Sequence, residues 1–304
     1  MDLDLSVDQV ALRDGISSLL DARFDTARIR AGFDRAMFDE LAAAGVFSLR
    51  ADGFSWADCV IVFEQLGRSC VPGPLVASLL VGEGRIADLV ERPDGGVVWV
   101  EHLGVLDELF VLGEHALLRV DPHELAVSPS TWPLDPLTPV TRVDELPTGH
   151  EVAVDVGELR RAGAVLTAAL QLGLADRCTA LAVAYAKERV QFDRPIGGFQ
   201  AIKHLCADML VRTEVARAAV YAVGAHLDEP DQPGLDRAVS GAKVLAGDGA
   251  ITNGKAAMQV FGGMGFTWEI DVHLYLKRAW VLDTHFGSGD GHCDAVATAL
   301  AART

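Results

Sequence analysis

Closely spaced cysteine pairs are absent from this sequence. Its five cysteines, Cys59, Cys70, Cys178, Cys206 and Cys293, are scattered, odd in number and form no C-x-x-C. That excludes a disulfide framework and a thiolate zinc site, and predicts reduced, mostly buried thiols. Basic residues are scarce as well: 26 Lys and Arg face 43 Asp and Glu, a formal charge of -17 over 304 residues. Such a surface repels phosphate backbones and anionic membranes, so nucleic acid is not an expected partner. No apolar run reaches the ~18 residues of a spanning helix, and the opening MDLDLSVDQV is acidic where a signal peptide is basic. A cytoplasmic protein with no membrane insertion is expected. Internal repeats and low-complexity tracts are also missing.

What is present suits a folded enzyme or binding subunit. Half of the residues are hydrophobic, enough to build a core, and the length accommodates two or three small units. In the first 80 residues apolar groups recur at helical spacing in Gln9–Leu12, Ile16–Leu20 and Phe38–Leu41, the last running into Gly45. A further apolar stretch, Ala57–Leu66, ends at Gly67, and Pro72-Gly73-Pro74 breaks the chain before another short helix. From about residue 96 to 155 the pattern changes to short Val- and Leu-rich runs, Val97–Val100, Leu117–Val120 and Val152–Val154, separated by Pro, Asp and Gly. Long helical periodicity then returns at 157–188, 198–227 and 233–261, with a last stretch near 270–284. The expected organisation is mainly α with a small β domain: a helical N-terminal domain over 1–90, a truncated β domain over 91–155 and a C-terminal helical bundle over 156–304.

Three segments carry candidate chemistry. In the first, Arg189-Val190-Gln191-Phe192-Asp193-Arg194-Pro195-Ile196, a helix ends near Arg189 and a turn fixed by Pro195 and Gly197-Gly198 leads to a new helix near Phe199. An arginine beside a helix N-terminus can hold a phosphate, because the guanidinium fork and free backbone N–H groups both favour anions. A plain helix–turn–helix connection explains the same pattern. In the second, Gln259-Val260-Phe261-Gly262-Gly263-Met264-Gly265-Phe266, glycines permit close backbone approach or positive φ, and a helix C-cap accounts for at least one of them. The segment follows no strand and opens no βαβ unit, which excludes a nicotinamide-binding fingerprint. The third groups Asp271 and His273, Asp283 and His285, and His292, Cys293 and Asp294. It lacks the fixed ligand spacing of a metal site, and Gly287-Ser288-Gly289 lacks the glycine spacing of a hydrolase nucleophile elbow.

Taken in order, these segments resemble the acyl-CoA dehydrogenase family over nearly the whole chain. Its R-x-Q-F…P-I…F-Q-A-I…H…A-D-M series is met by Arg189, Gln191-Phe192, Pro195-Ile196, Phe199-Gln200-Ala201-Ile202, His204 and Ala207-Asp208-Met209. Its Q-x-x-G-G-x-G-(F/Y) series is met by Gln259, Gly262, Gly263, Gly265 and Phe266, followed by His273–Arg278. Looser echoes lie in Asp8-Gln9, Leu12–Asp14 and Phe63–Arg68. The resemblance implies a helical domain, a β domain and a C-terminal four-helix bundle. It also implies an oxidoreductase that removes an α-proton and a β-hydride from a CoA thioester, with a glutamate as base and FAD as hydride acceptor. Residues matching Arg189, Gln191, Phe192, Gln200, Gln259, Gly262, Gly263 and Gly265 hold the adenosine and diphosphate end of an FAD seated mainly in a neighbouring subunit.

Departures from the family are equally specific. No T-E-x-G-x-G-S-type flavin-ring segment occurs in the short 80–150 region, and the two places where the family carries its glutamate fall near Gly163 and Gly287. Glycine has no carboxylate to accept a proton. Glu269 is the nearest acidic residue to the glycine turn and a candidate relocated base; a glutamate there also helps to begin the following helix. The resemblance therefore implies a short subunit of a heteromeric α2β2-type enzyme, similar to those of actinobacterial steroid degradation. A longer partner would supply the flavin-ring pocket and the glutamate, FAD would be shared, and an electron-transfer acceptor would reoxidise it. The alternatives are a scaffold subunit without cofactor and a homomeric enzyme using Glu269.

Overall fold

Reciprocal polar caps start the N-terminal helices. At α1 (Val7–Arg23) the Ser6 hydroxyl accepts from the Gln9 amide at 3.2 Å, while the Gln9 side chain accepts from the Ser6 amide at 3.1 Å. Ser55 and Asp58 repeat the arrangement at α4 (Trp56–Arg68). Asp25 and Asp34 cap α2 (Thr26–Ala31) and α3 (Arg35–Ala43) through single side-chain bonds, and α5 (Leu75–Val81) follows the Pro-Gly-Pro break. The computed structural model describes residues 4–91, 97–125, 132–229 and 231–302.

The first strand begins at Ala87. Strands β1 (Ala87–Glu91), β3 (Glu108–Leu112), β4 (Leu117–Val120) and β6 (His150–Val152) form one sheet in the order β1-β3-β4-β6. The β1–β3 pair is parallel, with Leu89 opposite Phe110, and the other two are antiparallel. Strands β2 (Val98–Glu101) and β5 (Val140–Val143) make a separate antiparallel pair. Every residue of β3 is buried, as an interior strand demands. Its one acid, Glu108, is met by Arg85 and Arg119, so the charge is not left bare. Residues 92–96 and 126–131 of the expected β region lie outside the described residues.

Five helices build the C-terminal half: α6 (Val156–Glu188), α7 (Gln200–His226), α8 (Leu235–Phe261), α9 (Val272–Leu282) and α10 (Gly289–Ala301). The first four fall where the 3.6-residue periodicity put them, and the fold is mainly α with a small β region. The helix α10 was not foreseen. Its start, Gly-Asp-Gly-His, has poor helix propensity, and it forms because the Ser288 hydroxyl accepts from the Gly291 amide at 3.1 Å. None of its residues is buried in this chain, although Ala, Val and Leu dominate its second half.

Two features hold the bundle. Helices α4 and α6 cross at Gly67 and Gly173, where a Cβ on Gly173 would lie 2.0 Å from the Glu64 carbonyl oxygen and one on Gly67 would lie 2.1 Å from that of Leu170. Only backbone without side chains permits this approach. In the interior, the fully buried Asn253 of α8 donates to the Met209 carbonyl at 2.9 Å and to the Thr213 hydroxyl at 3.0 Å on α7, and to Thr179 on α6 at 3.2 Å. Its carbonyl oxygen accepts from the Arg212 guanidinium at 2.9 Å. Asn253→Ala is expected to cost about 2–3 kcal/mol, since several buried partners lose their bonds together. A denaturant midpoint unchanged from wild type would refute this.

Candidate functional site

The two glycine- and arginine-bearing segments meet at one end of the bundle. Tyr185, one turn before the end of α6, stacks on Phe261 at the end of α8 with ring centroids 4.2 Å apart, and its hydroxyl reaches the Met264 sulfur at 3.8 Å. This contact places 189–200 beside 259–266. Instead of a plain turn after α6, the chain makes a short hairpin of β7 (Val190–Gln191) and β8 (Arg194–Pro195). Its two central residues, Phe192 and Asp193, have φ of 53° and 62°. Such a turn normally takes Asn-Gly, so nothing in Phe-Asp announced it. The left-handed Phe192 is strained, and strain of this kind collects at functional positions.

Strain here presents Phe192 outward, 86% exposed, and Phe266 on the neighbouring glycine turn is 76% exposed. Arg194 lies over the Phe199 ring at 4.0 Å. Arg189, Gln191, Gln200, Gln259, Gly262 and Gly263 are all exposed at this end, while Gly265 is buried. A Cβ at Gly262 or Gly263 would meet nothing within 4 Å, and Gly262 takes φ +63 as the C-cap of α8. Gly265 is different: its Cβ would press on the Met258 carbonyl at 3.0 Å, a packing role. The N-terminus of α7 has no side-chain cap hydrogen bond, leaving its first N–H groups turned to whatever binds there. Free helix N–H groups, an arginine and open glycine backbone form a cradle with the chemistry of a diphosphate site.

A different environment surrounds Gly163 and Gly287. Gly163 sits in α6 facing the turn before α10, and a Cβ there would lie 2.1 Å from the Phe286 ring. That ring fills the space a longer side chain on α6 would need. Gly287, at φ +95, donates its amide to a Glu91 oxygen at 3.1 Å, and Glu91 also pairs with Arg160 at 2.5 Å. Both bonds occupy the Glu91 carboxylate, which makes it a poor substitute base. Glu269 is exposed in the turn between Phe266 and α9.

Sequence reading missed a half-buried acid–imidazole cluster at this place. His285 Nε2 is 3.0 Å from Glu101 Oε1, and Asp88 accepts from the Leu89 and Glu101 amides at 2.8 and 3.0 Å. Burial, together with the Glu101 charge, pushes the Asp88 carboxyl up to about 7. Burial alone would raise Glu101 too, but His285 outweighs it and holds the carboxyl down to about 2. The only hint in the sequence was the Asp-Thr-His run at 283–285, since Asp88 and Glu101 arrive from β1 and β2. Among the described residues no three His, Cys, Asp or Glu side chains are arranged to hold a metal. The cavity beside the cluster, between β1, β2 and the 284–286 turn, holds about 250 Å³. Ligand pockets usually measure ~300–1,000 Å³, so the cleft is small for a three-ring flavin. The residues at 189–200 and 259–265 suit a diphosphate by their chemistry, whereas this cleft does not suit a flavin ring.

Comparison with known proteins settles the family. Residues 159–301 match the model of the acyl-CoA dehydrogenase C-terminal domain. The chain is 32% identical to acyl-CoA dehydrogenase IpdE2 of Mycobacterium tuberculosis, covering 88% of this chain and 89% of that protein. It belongs to the acyl-CoA dehydrogenase family. In the fold, this member of the family superimposes on a chain of the ChsE4-ChsE5 complex of M. tuberculosis with a TM-score of 0.84 at 20% identity, covering 99% of both. A variant of the Tcur3481-Tcur3483 steroid ACAD gives 0.82 at 19% identity, covering 97% of this chain and 98% of that one.

Proposed function

We propose that this chain is the short subunit of a heteromeric, FAD-dependent acyl-CoA dehydrogenase that desaturates a CoA thioester, of steroid origin, at its α,β bond. FAD, when bound, accepts the β-hydride. This chain contributes Arg189, Gln191, Phe192, Gln200 and the Gln259–Gly265 turn to the adenosine and diphosphate end, and a longer partner contributes the ring pocket and the glutamate. The observation that carries the reading is the contrast within one molecule: an open phosphate cradle at one end, and a reaction centre without a carboxylate at Gly163 or Gly287, filled by Phe286.

Two further observations support a partner. Helix α10 has no fully buried residue within this chain, and α7 exposes Leu210, Val211 and Val215. Both of the solved relatives above are named as pairs of different chains, and IpdE2 is named an acyl-CoA dehydrogenase. A cofactor-free scaffold fits the filled centre but leaves the strained, outward Phe192 without a purpose.

Co-purification with the longer family member from the neighbouring reading frames tests the proposal. A yellow complex is expected, with FAD near half the number of chains. Within it, Arg189→Ala combined with Gln259→Ala should cut flavin occupancy at limiting FAD at least ~10-fold, each lost charged or polar contact being worth about 1.5 kcal/mol or more. A colourless complex would establish the scaffold instead. Flavin and turnover from this chain alone, abolished by Glu269→Gln, would establish the homomeric enzyme.

A further inference from the structure

The 284–288 turn is tied to the β region and to the bundle by different means. On one side His285 pairs with Glu101 of β2 at 3.0 Å, and Gly287 donates to Glu91 of β1 at 3.1 Å. On the other, the Phe286 ring rests on bare backbone at Gly163 of α6, and the Phe286 carbonyl meets His292 Nε2 of α10 at 2.9 Å. Gly287 holds a positive φ, with Phe286 beside it at φ +53, so two consecutive residues are in the left-handed region and the turn is held in a costly conformation. Cavities of about 250 and 40 Å³ share His285, Phe286, Asp88 and Glu101 in their walls. The side chains of this turn line both.

We propose that residues 284–288 form a latch between the β region and the bundle, shut by the His285–Glu101 pair and the Phe286 ring on Gly163, and that it loosens as the pH rises. Release of the turn joins the two cavities into one. The idea does not depend on the proposed cofactor or partner.

Charged groups face His285 from every side. Asp88 and Glu91 come from β1, Glu101 from the end of β2, His102 from the residue after it, and Lys243 from α8. Arg278 of α9 borders the smaller cavity, Arg160 of α6 is neutralised by Glu91, and His292 of α10 accompanies the Phe286 carbonyl. Burial opposes a charge on His285, yet Glu101 and Asp88 outweigh burial and Lys243, and the imidazole is raised above its ordinary value. His285 and Asp88 therefore both bind protons more tightly in the closed, folded state than in the unfolded chain. A raised group stabilises below its unfolded value and loses that contribution as pH climbs through its folded value. Both act in the same direction: the Asp88 contribution is lost between about pH 4 and about pH 7, and that of His285 from about pH 6.5 upward through its raised folded value. Glu101 works at the far end, its contribution being lost only as the pH falls toward about 2.

Hydrogen–deuterium exchange on the full-length chain tests the latch. After correction for intrinsic exchange rates, peptides spanning 284–288 and β2 should lose protection at least tenfold between pH 6 and pH 8.5, while peptides from the α6–α8 interior keep theirs. In Glu101→Gln the same peptides should be poorly protected at pH 6 already and insensitive to pH. If that variant does not fold, the wild-type pH series decides alone. Protection of 284–288 that stays constant with pH overturns the proposal, and so does a loss spread evenly over the whole chain.

Discussion

Gly173→Ala is expected to destabilise the protein by about 4 kcal/mol or more, at the extreme end of single-substitution effects. A methyl group at this position would sit 2.0 Å from the Glu64 carbonyl oxygen and 2.4 Å from the Arg68 amide nitrogen. Both are backbone atoms of α4, so no side chain can rotate out of the way. Helices α4 and α6 must separate, and the buried residues between them, Phe63 and Leu66 on one side and Leu170 and Leu174 on the other, lose contacts along the length of the crossing. In thermal unfolding followed by circular dichroism, the midpoint should fall by about 6 °C or more, or the variant should be recovered as insoluble material. Gly241→Ala is the control: its Cβ would meet nothing within 4 Å, and an alanine at this half-buried helical position should stabilise by up to about 1 kcal/mol. A Gly173→Ala protein that melts within about 2 °C of wild type would show that the crossing is not as close as described.

The second large effect is at Arg278. Its Nε donates to Asp135 Oδ2 at 2.5 Å and one terminal nitrogen donates to the Val71 carbonyl at 3.1 Å. Asp135 is fully buried and Arg278 is 6% exposed. Three parts of the molecule converge there: α9 supplies the arginine, the segment before β5 the carboxylate, and the chain after α4 the carbonyl. Burial works against the arginine charge, but Asp135 outweighs it and drives the guanidinium pKa above its ordinary value. Arg278→Met keeps much of the volume and leaves Asp135, among the described residues, with only the Leu137 amide and the Thr138 hydroxyl as partners. The expected loss is about 3–5 kcal/mol, the cost of a buried charge without its counter-ion. Adding Asp135→Asn should recover part of it by removing that charge. If the double variant is no more stable than Arg278→Met, the loss is one of packing and the electrostatic account is wrong.

These predictions separate the kinds of information the chain carries. Elements whose cause is local were legible. The long helices follow apolar periodicity and end where Gly262 and the Pro-Gly-Pro segment stop them, and Arg189, Gln191, Gln259 and Gly262-Gly263 lie in contiguous runs that a reader can match. The hairpin at Phe192-Asp193 was not legible, because its conformation is imposed on residues that do not favour it. Helix α10 was missed for a related reason: weak propensity at its start is overcome by one cap, and none of its apolar residues is fully buried in this chain.

The sequence by itself determined the mainly α architecture with its small β region, the family, and the lack of a carboxylate at Gly163 and Gly287. Those follow from short-range pattern and residue identity, which need no knowledge of what packs against what. Packing alone puts Phe286 in the space above Gly163, brings Gly67 and Gly173 together, and gathers Asp88, Glu101 and His285 into one cluster. Each joins residues distant along the chain, and the energy of burying a charge or closing a gap depends on neighbours that sequence spacing does not reveal.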